Sequence, residues 1–145
     1  KKLTEFPREI LELTNLQELN LSRNKIHEIF EEIGVLTNLQ VLNVSRNKLQ
    51  TIPAEIGKLK QLTQLILFQN EIYSLPPEIG ELENLQLLDI WGNEIIEFPQ
   101  ELSKLKSLKV LDVRVIEMSK NRQNAIKKLL PHTKIYFSNS CNCAD

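Results

Sequence analysis

The sequence predicts an α/β solenoid, in which short repeats stack into a curved right-handed superhelix. A parallel sheet lines the concave face and short helical turns cover the convex face. Three observations predict this fold. Leucine recurs every 23 residues, at Leu16, Leu39, Leu62, Leu85 and Leu108. Inward apolar residues alternate with outward ones after each of these leucines, and a Pro-x-Glu motif returns at Pro53, Pro76 and Pro99.

Each repeat predicts one short strand, because a strand turns successive side chains to opposite faces of the sheet. The inward pairs are Leu19/Leu21, Leu42/Val44, Leu65/Leu67, Leu88/Ile90 and Leu111/Val113. Neighbouring strands of a sheet lie about 4.8 Å apart. The inward side chains should therefore stack into one continuous core.

An asparagine follows the strand in each of the first four repeats, at Asn24, Asn47, Asn70 and Asn93. A polar column of this kind has a functional and a structural interpretation. We expect a structural ladder, in which each buried amide bonds the backbone of its own turn and of the next repeat. Ile116 takes this position in the fifth repeat and marks the end of the regular array.

The return segments predict short convex helical turns. Proline begins each turn with a helical φ, and glutamate two residues later faces the positive helix end. Gly57 and Gly80 are expected to take a positive φ where the turn stops. Phe30 replaces proline in the first full repeat, which predicts a less regular start. Charges alternate between rungs and predict exposed ion pairs: Lys58/Lys60, Glu81/Glu83 and Lys104/Lys106.

The ends depart from the repeat. Residues 1–15 form a partial repeat, 16–107 four full repeats, 108–137 a terminal repeat with its cap, and 138–145 a flexible Cys-x-Cys tail. Ser119 is a candidate N-cap for a helix from Lys120 to Leu130, which Pro131 ends, and a last strand follows at 134–137. The first strand would leave an open sheet edge, a candidate for self-association.

Composition excludes several classes of function. The chain has 145 residues and a net charge of −1, so we expect one domain and no nucleic-acid partner. No apolar run approaches the roughly 18 residues of a membrane span. Two histidines without a nucleophile–base pair or a phosphate loop predict no enzyme and no cofactor. His132, Cys141 and Cys143 match no familiar zinc spacing, so we expect no metal site.

The repeat pattern L-x-x-L-x-L-x-x-N resembles the leucine-rich repeat, and residues 3 to about 137 follow it. With Leu-Pro-x-Glu-Ile-Gly in the turns and a closing Leu-Leu-Pro-x-x-x-Ile-Tyr-Phe, the chain is similar to short leucine-rich repeat proteins of pathogenic leptospires. The same consensus resembles the eukaryotic Ras-group repeats. The leptospiral resemblance implies an exported or surface protein with a binding role. Host molecules are among the partners that it implies. The Ras-group resemblance implies an intracellular scaffold.

Outward strand positions form columns on the concave face, where core packing demands no apolar residue. Ile66, Phe68, Leu87 and Trp91 nevertheless cluster on two adjacent rungs. Four charged residues rim them: Arg46, Asp89, Asp112 and Arg114. An aromatic centre with a charged rim is typical of a protein-binding site. Cross-strand packing is the alternative explanation, and Tyr73 with Ile96 forms a second candidate patch on one flank.

The sequence thus predicts a non-catalytic module that docks a protein partner on its concave face. Secretion or display at the cell surface is the expected location, with the cytoplasm as the alternative. A self-associating structural repeat protein is the competing function.

Overall fold

The computed structural model describes residues 1–138 and shows a six-stranded parallel sheet whose strand order follows the chain. The strands are β1 (Glu18–Asn20), β2 (Val41–Asn43), β3 (Gln64–Ile66), β4 (Leu87–Asp89), β5 (Val110–Asp112) and β6 (Lys134–Tyr136). The predicted α/β solenoid is confirmed. Cys141 and Cys143 of the predicted tail lie outside the described residues.

One core runs the length of the stack. The middle residue of each strand from β1 to β5 is buried: Leu19, Leu42, Leu65, Leu88 and Leu111. These leucines lie in register, since Leu42 pairs with both Leu19 and Leu65 across the ladder. The same cluster continues from Phe6, which precedes the first convex turn, to Leu130 in the cap. Each repeat therefore buries its apolar residues against its neighbours.

The convex segments are five short 3-10 turns, Arg8–Glu12, Glu31–Val35, Ala54–Lys58, Pro77–Glu81 and Gln100–Lys104. The motif proline caps the turn rather than starting it, because Pro53 combines φ −67° with an extended ψ of 149°. Phe30 takes nearly the same angles, −74° and 154°, before a turn of equal length. The less regular start expected at Phe30 is therefore wrong.

The glycines of these turns have a different role from the predicted one. Gly34, Gly57 and Gly80 lie inside the turns, and none has the positive φ expected at a helix end. They are close to the next rung instead. A Cβ atom on Gly57 would lie 2.8 Å from the carbonyl oxygen of Glu78. Glycine is required because the turns pack too closely to admit a side chain.

A positive φ occurs instead at the corner after each of the first five strands, at Arg23, Arg46, Gln69, Gly92 and Val115. Glycine fills this corner once. An L residue with a side chain pays about 1–2 kcal/mol for this left-handed conformation. The corner brings the residue that follows it, asparagine in four repeats, over the end of the core.

The asparagine ladder joins each repeat to the one before it. Asn47 donates from Nδ2 to the carbonyl oxygens of Leu21 (2.9 Å) and Val44 (3.0 Å), and its Oδ1 accepts from the Ile26 N–H (3.0 Å). Asn70 and Asn93 repeat this set of bonds. Each asparagine thus bonds the repeat that precedes it, whereas bonds to the next repeat were expected. The reason is that the side-chain amide points back toward the preceding repeat.

The cap consists of helix α1 (Lys120–Leu129) and strand β6. Ser119 caps the helix, since its Oγ accepts from the Arg122 N–H at 3.4 Å. Ile126 faces the core and is 3% exposed. The helix ends one residue before the predicted Leu130. Within residues 1–138, no helix has both the length and the apolar character that crossing a bilayer requires.

Charge is distributed unevenly along the stack. Residues 1–101 contain sixteen acidic and nine basic residues, whereas residues 104–134 contain two acidic and nine basic ones. Among the alternating charges predicted to pair, Lys60 and Glu81 form an exposed ion pair at 3.0 Å. Lys106 bonds the Ser103 carbonyl oxygen instead, at 2.8 Å. The cap is therefore the basic end of the described chain.

Candidate partner-binding face

The outward residues of the strands define the concave face. The ladder register aligns Gln64 with Leu87 and Ile66 with Asp89 on neighbouring strands. Phe68 and Trp91 follow these strands, each beside a corner residue. We call Ile66, Phe68, Leu87 and Trp91 the aromatic patch. All four side chains are partly buried, so they pack on the sheet and still reach solvent.

The centre of the aromatic patch is a stacked pair of rings. The centroids of Phe68 and Trp91 lie 5.1 Å apart, and the ring planes differ by 6°. A stacked pair of this kind contributes about 0.5–1.5 kcal/mol beyond the area it buries. The pair thus fixes the orientation of the Trp91 indole before any partner arrives.

Arg46 forms one side of the rim. Its Nε donates to Oε1 of Gln69 at 2.9 Å, and its guanidinium carbon lies 5.7 Å from the Phe68 ring centroid. Both arginine contacts follow from the 23-residue period, which puts Arg46 and Gln69 at the same corner of successive repeats. Arg46 remains exposed and available beside the aromatic patch.

The other side of the rim differs from the expectation. Asp112 is 7% exposed, and both of its carboxylate oxygens accept from Arg114, with the Nη2 to Oδ2 distance at 2.6 Å. These bonds raise the Arg114 pKa further above its ordinary value. Asp112 was predicted to be a surface charge, but its negative charge is already compensated. Arg114 presents the exposed part of this pair.

Asp89 has no such partner. Its Oδ1 is buried and accepts no hydrogen bond from residues 1–138. Burial, followed by the negative charge of Asp112, raises the pKa of this carboxyl to about 6. The backbone N–H of Trp91 and the Arg114 charge lower the pKa, with smaller effect. The Asp89 carboxylate is therefore ionised at neutral pH at a cost in free energy.

Tyr136 extends the face and was missed by the sequence analysis. Strand β6 pairs Tyr136 with Asp112, so the phenol ring lies on the outward side and is 38% exposed. Two cationic groups lie near this ring, Arg114 at 5.8 Å and Lys134 at 4.8 Å from the centroid. The alternation of Lys134, Ile135 and Tyr136 was the signal that could have placed Tyr136 on the concave face.

The remaining candidates lie elsewhere. Tyr73 and Ile96, the second candidate patch, are 45% and 66% exposed, and they lie on neighbouring rungs because the Ile96 N–H donates to the Tyr73 carbonyl oxygen. His27 and His132 are exposed near opposite ends of the stack. Among residues 1–138, no three side chains of histidine, cysteine, aspartate or glutamate come together as metal ligands would.

The comparisons with known proteins agree with this geometry. Residues 4–134 match the model of the leucine-rich repeat region family, and the chain belongs to this family. Leucine-rich repeat proteins are commonly non-enzymatic modules for protein interaction. A comparison with curated proteins gave no match.

Three solved structures are similar to this one. A leucine-rich repeat protein of Leptospira interrogans has 35% identity and a TM-score of 0.76, over 94% of this chain and 41% of its own. The leucine-rich repeat domain of the type III effector XopL has 24% identity and a TM-score of 0.80, over 94% of this chain and 49% of its own. At this identity, the likeness supports the fold and no more. A chain of the BIR3–SERK2 complex of Arabidopsis thaliana has 34% identity and a TM-score of 0.63, over 69% and 56%. The chain thus spans less than two thirds of each.

Proposed function

We propose that this chain is a non-catalytic binding module that docks a protein partner on the aromatic patch of its concave face. The stacked pair of Phe68 and Trp91 is the observation that carries the proposal. Strand positions on this face are not required for the core, and most of them hold polar side chains. Partly exposed aromatic rings with an arginine beside them are enriched among the residues that dominate protein interfaces.

The comparisons support the class of function and leave the partner open. The family is commonly a protein-interaction module, and one similar solved structure is a complex of two proteins, BIR3 and SERK2. A protein partner is favoured over a small ligand because the patch is an open face formed by successive rungs. Arg46 and Arg114 would provide polar contacts at its two margins.

The test is the substitution Trp91→Ala, compared with Tyr73→Ala, which should leave binding unchanged and whose loss of binding would place the partner on the flank patch instead. Trp91→Ala should weaken partner binding by about 2 kcal/mol or more, as expected for an aromatic residue central to an interface. Its free energy of unfolding should fall by about 1–3 kcal/mol, because the stack and the partly buried ring are lost while the variant stays folded. Affinity capture and calorimetry of the isolated complex measure the first quantity, and urea denaturation measures the second. Equal binding by wild type and Trp91→Ala would refute the proposal.

A host molecule as partner, and export to the cell surface, form the finer version of this proposal. It rests on the likeness to a leucine-rich repeat protein of Leptospira interrogans, at 35% identity. Protease treatment of intact cells tests the location, because a surface protein is cleaved while an internal one is protected. Protection of this protein would leave the cytoplasmic scaffold as the function of the same face.

Self-association is the alternative function. Within residues 1–138, β1 pairs on one side only, with β2. Leu13 in the first turn is 56% exposed, whereas the equivalent Leu36 of the next repeat is fully buried. Light scattering over a concentration series separates the two functions. A monomer at every concentration would remove self-association and leave the docking proposal intact.

A further inference from the structure

Asp89 lies at the centre of the concave face and is surrounded by the aromatic patch. Leu87 and Trp91 flank it along the chain, and Ile66 is its partner on β3. On the other side Asp112 is its partner on β5. A carboxylate enclosed in this way loses part of its hydration, and a cationic group that reaches it interacts more strongly than it would in open water.

No lysine or arginine within residues 1–138 forms an ion pair with Asp89. The ion pairs within residues 1–138 join Arg8 to Glu32, Lys60 to Glu81 and Arg114 to Asp112. Arg114 thus neutralises the neighbouring carboxylate, while Oδ1 of Asp89 accepts no hydrogen bond in the described chain. Beside the aromatic patch, the carboxylate that forms no ion pair within the described chain is therefore Asp89.

In the part of the chain that the structure describes, no cationic group lies over the Trp91 ring. The lysine and arginine groups that lie over aromatic rings in the described chain are placed on Phe30, Phe68, Tyr136 and Phe137. Arg114 is the neighbour of Trp91 in the adjacent repeat, but its guanidinium is bound to Asp112. The Asp89 carboxylate at the end of β4 and the Trp91 indole two residues later therefore have no cationic group bound directly to them within residues 1–138.

We propose that the concave face recognises an arginine side chain of the protein partner, with the guanidinium against the Asp89 carboxylate and the Trp91 ring. This inference rests on the proposed function and specifies the chemistry of its partner. Arginine fits better than lysine, because a planar guanidinium stacks on an aromatic ring while an N–H in the same plane donates a hydrogen bond to a neighbouring carboxylate oxygen. Lysine offers a compact point charge that cannot do both in one plane.

A pair of matched small probes tests the chemistry directly. The arginine probe is N-acetyl-arginine methylamide, and the neutral control is N-acetyl-citrulline methylamide, which has nearly the same shape without the charge. In NMR spectra, the arginine probe should shift the Asp89 carboxyl carbon and the Trp91 indole N–H. The citrulline probe should cause less than about a third of that shift. Equal shifts from both probes would overturn the proposal, and equal shifts from the lysine analogue would overturn the choice of arginine.

Binding of the arginine probe should depend on pH. The carboxyl has a pKa of about 6 in the unbound protein. Only its ionised form attracts a cation, so affinity at pH 5 should be about tenfold lower than at pH 7. The charged or titratable groups on the neighbouring strands are Asp112 and Arg114 on the β5 side and Lys134 and Tyr136 on β6. On β3, Gln64 and Ile66 carry none. Affinity that does not change between pH 5 and 7 would contradict the role of Asp89.

Asp89→Asn should abolish the shift at the Trp91 indole, while Glu18→Gln, an outward carboxylate on β1, should leave it unchanged. The variant should remain folded, because the raised pKa of Asp89 means that wild-type stability falls as pH rises from about 4 to 6. The asparagine amide does not ionise, so the variant avoids this loss of stability. A thermal melt of the variant at pH 7 checks that it is folded. Partner binding that requires Trp91 but survives Asp89→Asn would overturn the arginine proposal and leave the docking function standing.

Discussion

Val115 is the most strained residue of the corners. Its φ is 60°, and its branched side chain is 66% exposed, so little packing compensates for the conformation. A β-branched residue with positive φ is a genuine outlier in proteins. The equivalent corner one repeat earlier holds Gly92, for which a φ of 67° carries no such strain.

Val115→Gly should therefore increase the free energy of unfolding by about 0.5–1 kcal/mol. The relief of about 1–2 kcal/mol of left-handed strain exceeds the extra freedom that glycine gains in the unfolded chain. Urea denaturation measures the change. Gly92→Ala is the reciprocal variant and should destabilise by about 1 kcal/mol, because its Cβ meets only ordinary contacts and the strain alone remains. The same sign for both variants would contradict this account.

Among the elements, the 3-10 turns depend on contact between rungs rather than on their own propensity. Gly57 is buried, and a Cβ there would lie 2.8 Å from the Glu78 carbonyl oxygen and 3.0 Å from the Glu78 Cβ. Neither atom can move without shifting the next turn. Ser103 has the same repeat position in the last turn, where helix α1 rather than a further 3-10 turn follows.

Gly57→Ala should destabilise the protein by about 1–3 kcal/mol, as overpacking of a close contact does. Alanine favours helical backbone, so local propensity alone predicts the opposite sign. Ser103→Ala is the matched control and should change stability by less than about 0.5 kcal/mol. Thermal and urea denaturation of both variants decide between contact and propensity.

The sequence predicted the elements whose cause lies within one repeat. Inward leucines and valines predict strands, because their alternation with outward residues shows which face of each strand is buried. The reason for Gly57 could not be read in the same way, since the conflicting atom belongs to Glu78 in the next rung. For the same reason the direction of the asparagine bonds was predicted wrongly, although the burial of Asn70 followed from the pattern.

In the candidate site too, some features follow from the repeat pattern and others do not. The stacked contact between Phe68 and Trp91 was predictable, because residues 23 apart occupy one column. Tyr136 was missed because β6 follows a helix, and its ladder is offset from β5 by 24 residues rather than 23. The pairing of Asp112 with Arg114, and the isolation of Asp89, depend on side-chain conformations that no spacing encodes.

At the scale of the whole molecule, each repeat is stabilised by its contacts with the adjacent repeats. A solenoid lacks contacts between distant repeats, so damage at one end should remain local. Ile126 in α1 covers the last rung and is buried, which makes it a direct test of this property.

Ile126→Ala should cost about 2–5 kcal/mol, since it leaves a cavity in the core. Amide hydrogen exchange should increase first in β5 and β6, while β2 and β3 keep their protection. The matched variant is Ala125→Gly on the exposed side of the helix, which should cost about 1 kcal/mol. A uniform increase of exchange in all six strands would show that the stack unfolds as one unit instead.

The uneven charge also acts on this scale. The net charge of −1 predicted no attraction for polyanions, but it averages an acidic stack with a basic cap. Residues 1–101 contain seven more acidic than basic residues and residues 104–134 seven more basic than acidic ones, so the basic cap and the rest of the stack present opposite potentials. A charged partner is therefore oriented as it approaches, and its association rate should fall with added salt.

The stacked ring pair also makes the molecule its own optical probe. The chain contains a single tryptophan, Trp91, so all indole emission originates at the aromatic patch. No signal from another repeat dilutes it. Covering the ring, or changing the charge of the adjacent Asp89 carboxyl, alters the surroundings of this one fluorophore. Docking can thus be followed in the unlabelled protein by the wavelength and the quenching of the Trp91 fluorescence. Binding without a change in this fluorescence would place the partner on another face.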